Sequence, residues 1–91
     1  MKLFLVHAGF YDDNVSGGFY ESHTNYFVVA ADVKHAKQKA KAIPEYRDKK
    51  MHIDGIKEID VVDGYRISLY ENIDGSTSDN SDHSYDEVKK M

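Results

Sequence analysis

Two short segments of the chain combine a histidine with a carboxylate two residues away, Glu21 with His23 and His52 with Asp54. Residues two apart in a β-strand point to the same face, so each pair would present both side chains to one site, provided that the strand carrying Glu21 and His23 begins as early as Glu21. Imidazoles and carboxylates are ligands for Zn²⁺, Mn²⁺ and Fe²⁺. The pattern therefore makes these four residues a candidate polar site, with His23, His52 and Asp54 as candidate metal ligands.

Two other interpretations explain the same residues. A histidine beside a strand end commonly hydrogen-bonds a backbone group or a carboxylate, and Asp54 before Gly55 is typical of a turn, which would make the residues purely structural. A metal-free enzyme would instead use His23 or His52 as a base oriented by a carboxylate, because imidazole exchanges protons near neutral pH. The chain has no nucleophile elbow and no phosphate-binding glycine loop, so the sequence identifies neither a cofactor nor a small-molecule ligand.

The other three histidines have simpler interpretations. His7 lies within an apolar run and is expected to be a satisfied core or sheet histidine rather than a ligand. His35, on a predicted helix, and His83, near the end of the chain, are expected to be exposed to solvent. None of the three is assigned a role at the candidate site.

The composition limits what kind of protein can position such a site. With 91 residues, 41% of them apolar, the chain can form one domain with a modest core. The absence of cysteine excludes disulfides, thiolate metal sites, zinc fingers and a cysteine nucleophile. The N-terminal apolar run ends at His7, too early for a signal peptide, and no stretch approaches the roughly 18 apolar residues of a membrane span. A soluble cytoplasmic protein without a membrane partner is therefore expected.

Charge is distributed unevenly along the chain, whose net charge is −4. Residues 32–50 carry seven Lys/Arg and three Asp/Glu, whereas residues 71–91 carry two and six. Residues 71–91 also lack the apolar content that folding requires, which predicts a disordered acidic tail after a folded domain of residues 1–70. The overall acidity makes nucleic acid an unlikely partner, because phosphate-driven binding needs a larger positive field. The basic region comprises Lys34, Lys37, Lys41, Arg47, Lys49 and Lys50.

Hydrophobic patterning predicts two strands and a helix. Residues 2–8 form an apolar run without alternation, typical of a strand covered on both faces, and Gly9 is expected to end it. Residues 24–31, rich in aromatic and β-branched side chains, predict a second strand. Asp32 is a predicted N-cap for a helix from Val33 to about Ala42, whose narrow alanine-rich face indicates close packing on a sheet. Pro44 is expected to stop that helix or to begin the following loop.

A hairpin completes the predicted fold. A two-residue loop, Asp63-Gly64, would place Asp60 opposite Ile67 and so mix polar with apolar, whereas a three-residue loop, Val62-Asp63-Gly64, pairs Ile59 with Ile67. The three-residue loop is therefore predicted. The element order β-β-α-β-β then indicates a single small α+β domain, with an antiparallel or mixed four-stranded sheet and one helix packed on one face. The other face would be free for a partner.

Three motifs in this chain resemble those of a known family: Glu-x-His-x-x-x-Phe-Val-Val at residues 21–29, His-Ile-Asp at residues 52–54 and Val-Asp-Gly-Tyr at residues 62–65. They are similar to the bacterial Domain of Unknown Function family fifteen forty-three, with coverage of about residues 3–69. The resemblance implies a small bacterial domain, found singly or in tandem, without an established activity. This chain departs from the pattern at residues 46–50, where relatives have a Trp-Phe-Gly-like element, and its acidic tail lies outside the resemblance.

The sequence favours a non-catalytic binding or assembly module over an enzyme. The uncovered sheet face, an edge strand or the aromatic first loop could each pair with a second copy to form a homodimer, which would compensate for a small core. Aromatic side chains are enriched at interfaces, although a sheet with one helix also needs them to fill its core. The alternative is a metal-dependent or acid–base enzyme at the Glu/His/His/Asp residues. The candidate contact residues are Phe10, Tyr11, Phe19, Tyr20, Tyr26 and Tyr70.

Overall fold

A three-stranded antiparallel sheet with a helix packed on one face forms the body of the fold, in a computed structural model that describes residues 1–78 and 80–91. The predicted α+β class is confirmed. In chain order the elements are β1 (Lys2–Phe10), a 3-10 turn (Ser16–Gly18), β2 (Ser22–Ala30), α1 (Val33–Lys41), α2 (Pro44–Asp48), β3 (His52–Ile59), β4 (Val61–Val62), β5 (Tyr65–Arg66) and α3 (Tyr85–Lys90).

The central strand of the sheet is β1, because β2 and β3 both pair with it antiparallel. Gly9 pairs with His23 on one side and with His52 on the other, so the two histidine segments meet across a single residue of β1. The prediction that Gly9 ends the strand is wrong, since β1 continues to Phe10. Pairing on both sides of the strand outweighs the low strand preference of glycine.

Alternation along β1 decides which side chains form the core. Phe4, Val6 and Ala8 are fully buried on the face that carries the helix. Ala36 and Ala40 of α1 are also fully buried, in the same cluster as Phe4 and Val6, as close packing of an alanine-rich helix requires. Burial of the two larger side chains contributes about 1.5–3 kcal/mol each. The helix is thereby fixed to one face of the sheet, which leaves the opposite face without a helix of its own.

Particular residues define where the helices begin. The Asp32 carboxylate accepts a hydrogen bond from the His35 backbone N–H at 2.8 Å, which confirms the predicted N-cap of α1. Pro44 occupies the first turn of a helix that was not predicted, α2, where its missing N–H leaves no hydrogen bond unmade. This short helix supplies Tyr46 to a second core cluster, whose buried members are Ala8, Phe10, Tyr46 and Met51.

The predicted four-stranded sheet is not confirmed, because β4 and β5 form a separate two-residue ladder. The predicted three-residue loop is wrong: the loop is Asp63-Gly64, and its two residues have φ angles of 52° and 81°, as a type I′ turn requires. The Ile67 N–H donates to the Asp60 carbonyl at 2.8 Å, which places Asp60 opposite Ile67 as the two-residue loop requires. Both short strands are exposed, so burial of one face does not select the register here.

The helices of residues 1–78 and 80–91 are short, and none is long and apolar enough to cross a membrane. Within the acidic tail, α3 begins with a capping box in which the Ser84 hydroxyl accepts from the Glu87 N–H, while the Glu87 carboxylate accepts from the Ser84 N–H. None of the residues of α3 is buried. The domain boundary at residue 70 stays a prediction.

Candidate metal centre

The four residues of the candidate polar site lie together on the face of the sheet away from α1, which we term the open face. Glu21 immediately precedes β2, and His23 is the second residue of that strand. His52 begins β3, and Asp54 follows two residues later. The two pairs meet because β2 and β3 both pair with the same end of β1.

Four nitrogen–oxygen contacts connect these side chains in a closed ring, which we term the His/carboxylate cluster. His52 Nε2 lies 2.7 Å from Glu21 Oε1 and 3.2 Å from Asp54 Oδ1. His23 Nε2 lies 3.2 Å from Glu21 Oε1 and 2.9 Å from Asp54 Oδ2. Both histidines therefore present the same ring nitrogen to the same two carboxylates, and each oxygen of Asp54 faces a different imidazole.

Gly9 forms the floor of the His/carboxylate cluster, a role that was not predicted. A Cβ on Gly9 would lie 2.7 Å from His52 Nε2, 2.8 Å from Asp54 Oδ2 and closer still to Glu21 Oε1. Real Cβ atoms essentially never approach other atoms within 3.0 Å, so these three polar atoms occupy the space that a side chain would fill. A glycine inside a strand pattern often marks such a close approach, which is the signal that could have indicated this role.

A β-bulge in β3 presents Asp54 on the open face. His7 and Ala8 are consecutive in β1, yet their partners on β3 are separated by Asp54, which has no partner of its own on β1. Ile53 and Ile56 both pack against the core although they are three residues apart, which strict alternation would not allow. Asp54 lies inside a continuous strand, so the alternative in which it forms a turn is wrong.

His7 lies beside the His/carboxylate cluster, at the centre of the sheet. Its ring stacks on that of His23, with centroids 4.8 Å apart and planes 5° from parallel. Its Nδ1 lies 2.8 Å from Asn25 Oδ1. His7 is therefore a satisfied sheet histidine, as predicted, but it is exposed rather than in the core. Period-two alternation would have indicated it, because His7 lies two residues from Gly9 on the same face of β1.

The His/carboxylate cluster is open to solvent. The exposed fractions of its side chains range from 30% for Glu21 to 49% for His52. The two carboxylates give the cluster an excess of negative charge when its histidines are neutral. An adjoining shallow cavity of about 340 Å³ is lined by Leu5, His7, Asn25, Gly55, Ile56 and Lys57. A small molecule would therefore reach the cluster along the open face.

The donors of this region suit a divalent transition metal. The ligand atoms of Glu21, His52 and Asp54 all lie within 4.8 Å of one another, and so do those of His7, His23 and Asp54. Imidazole nitrogens with carboxylate oxygens form known sites for Zn²⁺, Mn²⁺ and Fe²⁺. The three residues named from the sequence as candidate metal ligands, His23, His52 and Asp54, all belong to these groups.

The six aromatic candidates for partner contacts fall into two groups. Phe10 is 8% exposed and belongs to the second core cluster, so it is a core residue and not the contact residue that was predicted. Tyr26 packs against both core clusters, and its hydroxyl donates a hydrogen bond to the Glu45 carboxylate. Burial, together with this bond and the charge of Glu45, raises the pKa of Tyr26 to about 12. The exposed group comprises Tyr11, Phe19, Tyr20 and Tyr70.

Comparison with known proteins places the chain in a family. No curated protein and no solved structure matches it. The sequence model described as Domain of Unknown Function (DUF1543) matches residues 18–69, more than half of the chain. The matched segment includes all four members of the His/carboxylate cluster and the β4–β5 hairpin, and it excludes His7, Gly9 and the acidic tail. The chain belongs to the DUF1543 family.

Proposed function

We propose that this domain is a small metal-binding module in which Glu21, His23, His52 and Asp54 hold a divalent transition metal ion. The observation that carries the proposal is the convergence of two Nε2 atoms on the same two carboxylates, directly above Gly9. Zn²⁺, Mn²⁺ and Fe²⁺ accept this combination of ligands.

A network of hydrogen bonds alone accounts for this geometry less well. Each Nε2 carries at most one hydrogen, so the two histidines can donate two bonds at Nε2, whereas the cluster contains four N···O contacts of 2.7–3.2 Å. Each Nε2–H would have to be shared between two carboxylate oxygens as a three-centre bond, which is weaker per contact than a dedicated hydrogen bond. A cation would be approached by a lone pair from every one of these atoms, so it accounts for all four contacts.

The surroundings of the cluster favour binding over catalysis. Enzyme sites generally lie in concave pockets that exclude much of the water. The His/carboxylate cluster instead lies on a sheet face, with roughly a third to a half of each side chain exposed. An octahedral ion such as Mn²⁺ held there by four side chains would have coordination positions open to water or to an external ligand, whereas tetrahedral Zn²⁺ would be fully ligated by the protein. We therefore assign the module a role in binding a metal, and through the metal an external ligand, without a reaction.

Metal analysis of the untagged chain tests this function. Protein purified without chelators would be analysed for its metal content and then titrated with Zn²⁺ and Mn²⁺ while the imidazole NMR signals of His23 and His52 are followed. We expect near-stoichiometric binding with shifts or broadening of both signals. His52→Ala is expected to weaken binding strongly, whereas His83→Ala, which removes an exposed imidazole in the tail, should not. Absence of metal and of any shift would contradict the proposal.

A second candidate function is assembly of two copies through the open face. Phe27 and Val29 of β2 are 71% and 38% exposed, although they lie within a strand. They are on the same side of β2 as His23, and Leu5 of β1 pairs with Phe27. A contiguous apolar surface of this kind is typical of an interface.

Light scattering at high micromolar concentration tests the homodimer. We expect a dimer whose dissociation is promoted by Phe27→Ser and not by Phe19→Ser, because Phe19 lies in the exposed loop after the 3-10 turn. A strict monomer would contradict the dimer. Loss of the dimer in Phe19→Ser alone would indicate that the interface is formed by the loop that carries Phe19.

A further inference from the structure

The metal-ligating side chains of the open face form two groups that share Asp54. Glu21 and His52 form one group with it, and His7 and His23 form the other. Asp54 Oδ1 faces His52 Nε2 at 3.2 Å, whereas Oδ2 faces His23 Nε2 at 2.9 Å. When one carboxylate turns its two oxygens toward two different nitrogen donors, it has the arrangement needed to bridge two cations.

His7 supplies a donor that a single ion on the other four side chains would not use. Its Nδ1 lies 2.8 Å from Asn25 Oδ1, and an amide oxygen can only accept a hydrogen bond. In the tautomer that donates this bond, Nδ1 carries the hydrogen and Nε2 keeps its lone pair. Metal-ligating histidines characteristically donate their other ring N–H to an oxygen in this way, which fixes the tautomer. His7 thus has the form that a metal ligand needs.

The stacking of His7 on His23 places the two imidazoles side by side rather than in line. Their rings are 5° from parallel, with centroids 4.8 Å apart. A hydrogen bond between two imidazoles would instead run in the ring plane, from the N–H of one to the lone pair of the other. The in-plane lone pairs of two parallel stacked rings do not converge, so one imidazole must turn about its Cβ–Cγ bond before both rings bind one ion. The ligand atoms of His7 and His23 lie within 4.8 Å of each other, and the two side chains come from adjacent strands, β1 and β2.

We infer that the open face holds a pair of divalent ions bridged by Asp54, an inference that rests on the metal-binding function proposed above. Glu21 and His52 complete the protein ligands of one ion, and His7 and His23 complete those of the other. In known two-metal sites the ions are about 3.5–4 Å apart, and together they orient and polarise a shared ligand. The second ion would convert the module from a single-ion site into a two-ion platform on the open face.

Manganese stoichiometry in the full chain tests this inference. The protein would be equilibrated with Mn²⁺, dialysed against a low free concentration of the ion and analysed for bound metal, with an electron paramagnetic resonance spectrum of the same sample. We expect two equivalents and a spectrum of two exchange-coupled ions. His7→Ala is expected to retain one equivalent with an uncoupled spectrum. The matched control, His83→Ala, should retain two.

The possible results separate this inference from the function on which it rests. One equivalent in the wild-type chain, unchanged in His7→Ala, would overturn the ion pair and leave the single-ion function intact. No bound Mn²⁺ or Zn²⁺ would overturn both. Two equivalents that persist in His7→Ala would also overturn the ion pair as described, because the second ion would then lie elsewhere.

Asn25 is a positioning residue in this arrangement, since it acts on the ion through His7. Asn25→Ala is expected to weaken binding of the second Mn²⁺ by about 10–100-fold while the first equivalent is bound as in the wild type, as is usual when the oxygen behind a metal-ligating histidine is lost. A purely structural role would lower the affinity for both ions together. Equal weakening of both, or no weakening, would therefore overturn this role of Asn25.

Discussion

Gly9→Ala is the smallest change that separates metal binding from folding in this domain. It adds one methyl group to the central strand, directly under the His/carboxylate cluster. Gly9 has no positive φ, so alanine can adopt its backbone conformation without strain. The polar atoms that the methyl group meets are the ends of exposed side chains, which can move into solvent.

The size of the effect follows from the distances at Gly9. Ordinary contact with a Cβ begins near 3.4 Å, so His52 Nε2, at 2.7 Å, must retreat by about 0.7 Å, and Asp54 Oδ2, at 2.8 Å, by about 0.6 Å. Glu21 Oε1 must move further than either. Metal–ligand distances tolerate deviations of only about 0.2 Å. Gly9→Ala should therefore displace three ligands and weaken metal binding by about 100-fold or more, at least as much as the loss of an outer-shell partner does.

The measurement combines metal affinity with stability of the metal-free protein. The Zn²⁺ dissociation constant would be obtained by competition with a chelator, and the free energy of unfolding from urea denaturation without metal. Replacement of a strand glycine by alanine contributes roughly 0.5–1 kcal/mol of stability, and loss of exposed ion pairs costs about 0–1 kcal/mol each. With four such contacts in the cluster, the metal-free variant should lie between about 1 kcal/mol more stable and about 3.5 kcal/mol less stable than the wild type.

Gly55→Ala is the matched control for this substitution. Gly55 lies one residue after Asp54 in β3, has no positive φ, and its added Cβ would meet nothing within 4 Å. We expect it to keep the metal affinity of the wild type. If Gly9→Ala binds metal with wild-type affinity, the ion does not lie over Gly9. If Gly9→Ala and Gly55→Ala lose metal affinity equally, the loss comes from a general change in the strands and not from displacement of the cluster.

Three further predictions concern the fold. The pKa of Tyr26 is raised to about 12 in the folded protein, above the ordinary value of 10 that applies to the unfolded chain. The stability that this difference contributes is fully present below about pH 10 and should be lost as the pH rises toward 12. Urea denaturation across this pH range should show that loss in the wild type and not in Tyr26→Phe. Ala40→Leu should lower the free energy of unfolding by about 1–3 kcal/mol, because Ala40 is fully buried between α1 and the sheet, and an unchanged value in chemical denaturation would contradict that packing. Asp32→Ala should cost about 0.5–2 kcal/mol through loss of the N-cap, whereas Asp48→Ala, at the end of α2, should cost less in the same assay.

Local sequence patterns, which involve only a few neighbouring residues, were sufficient to predict part of the fold and part of the site. The N-cap at Asp32 and the helix after it follow from side-chain chemistry within one turn. The pairs Glu21/His23 and His52/Asp54 were identified because period-two spacing places both members of a pair on one face. That the two pairs meet depends on β1 lying between β2 and β3, which no local spacing reveals.

Residues whose roles depend on strand pairing could not be predicted in the same way. Gly9 has its role only because the His/carboxylate cluster assembles above it, and His7 because it lies beside His23 in the paired strand. The bulge at Asp54 changes which residues of β3 face the core, and it follows from the fit of β3 against β1. Pairing between distant segments is decided by packing, so these roles become visible only in three dimensions.

The failed hairpin prediction has a related physical cause. Pairing Ile59 with Ile67 was favoured on the assumption that one face of the hairpin is buried. β4 and β5 are instead exposed on both faces, so no burial energy distinguishes the two registers. The choice then depends on the turn, and Asp63-Gly64 is well suited to the positive φ angles of a type I′ loop.

The position of the His/carboxylate cluster in the sheet has a consequence for stability. β2 and β3 are separated by β1, yet Glu21 and His23 from one side contact His52 and Asp54 from the other, above Gly9. A metal ion bound there would connect the two outer strands over the central one. An ion at 100 times its dissociation constant stabilises the folded state by about 2.7 kcal/mol, a large fraction for a chain of 91 residues with a modest core. Within residues 1–78 and 80–91, α1 packs on the other face of the sheet, so an ion on the open face would add stability on the side away from that helix.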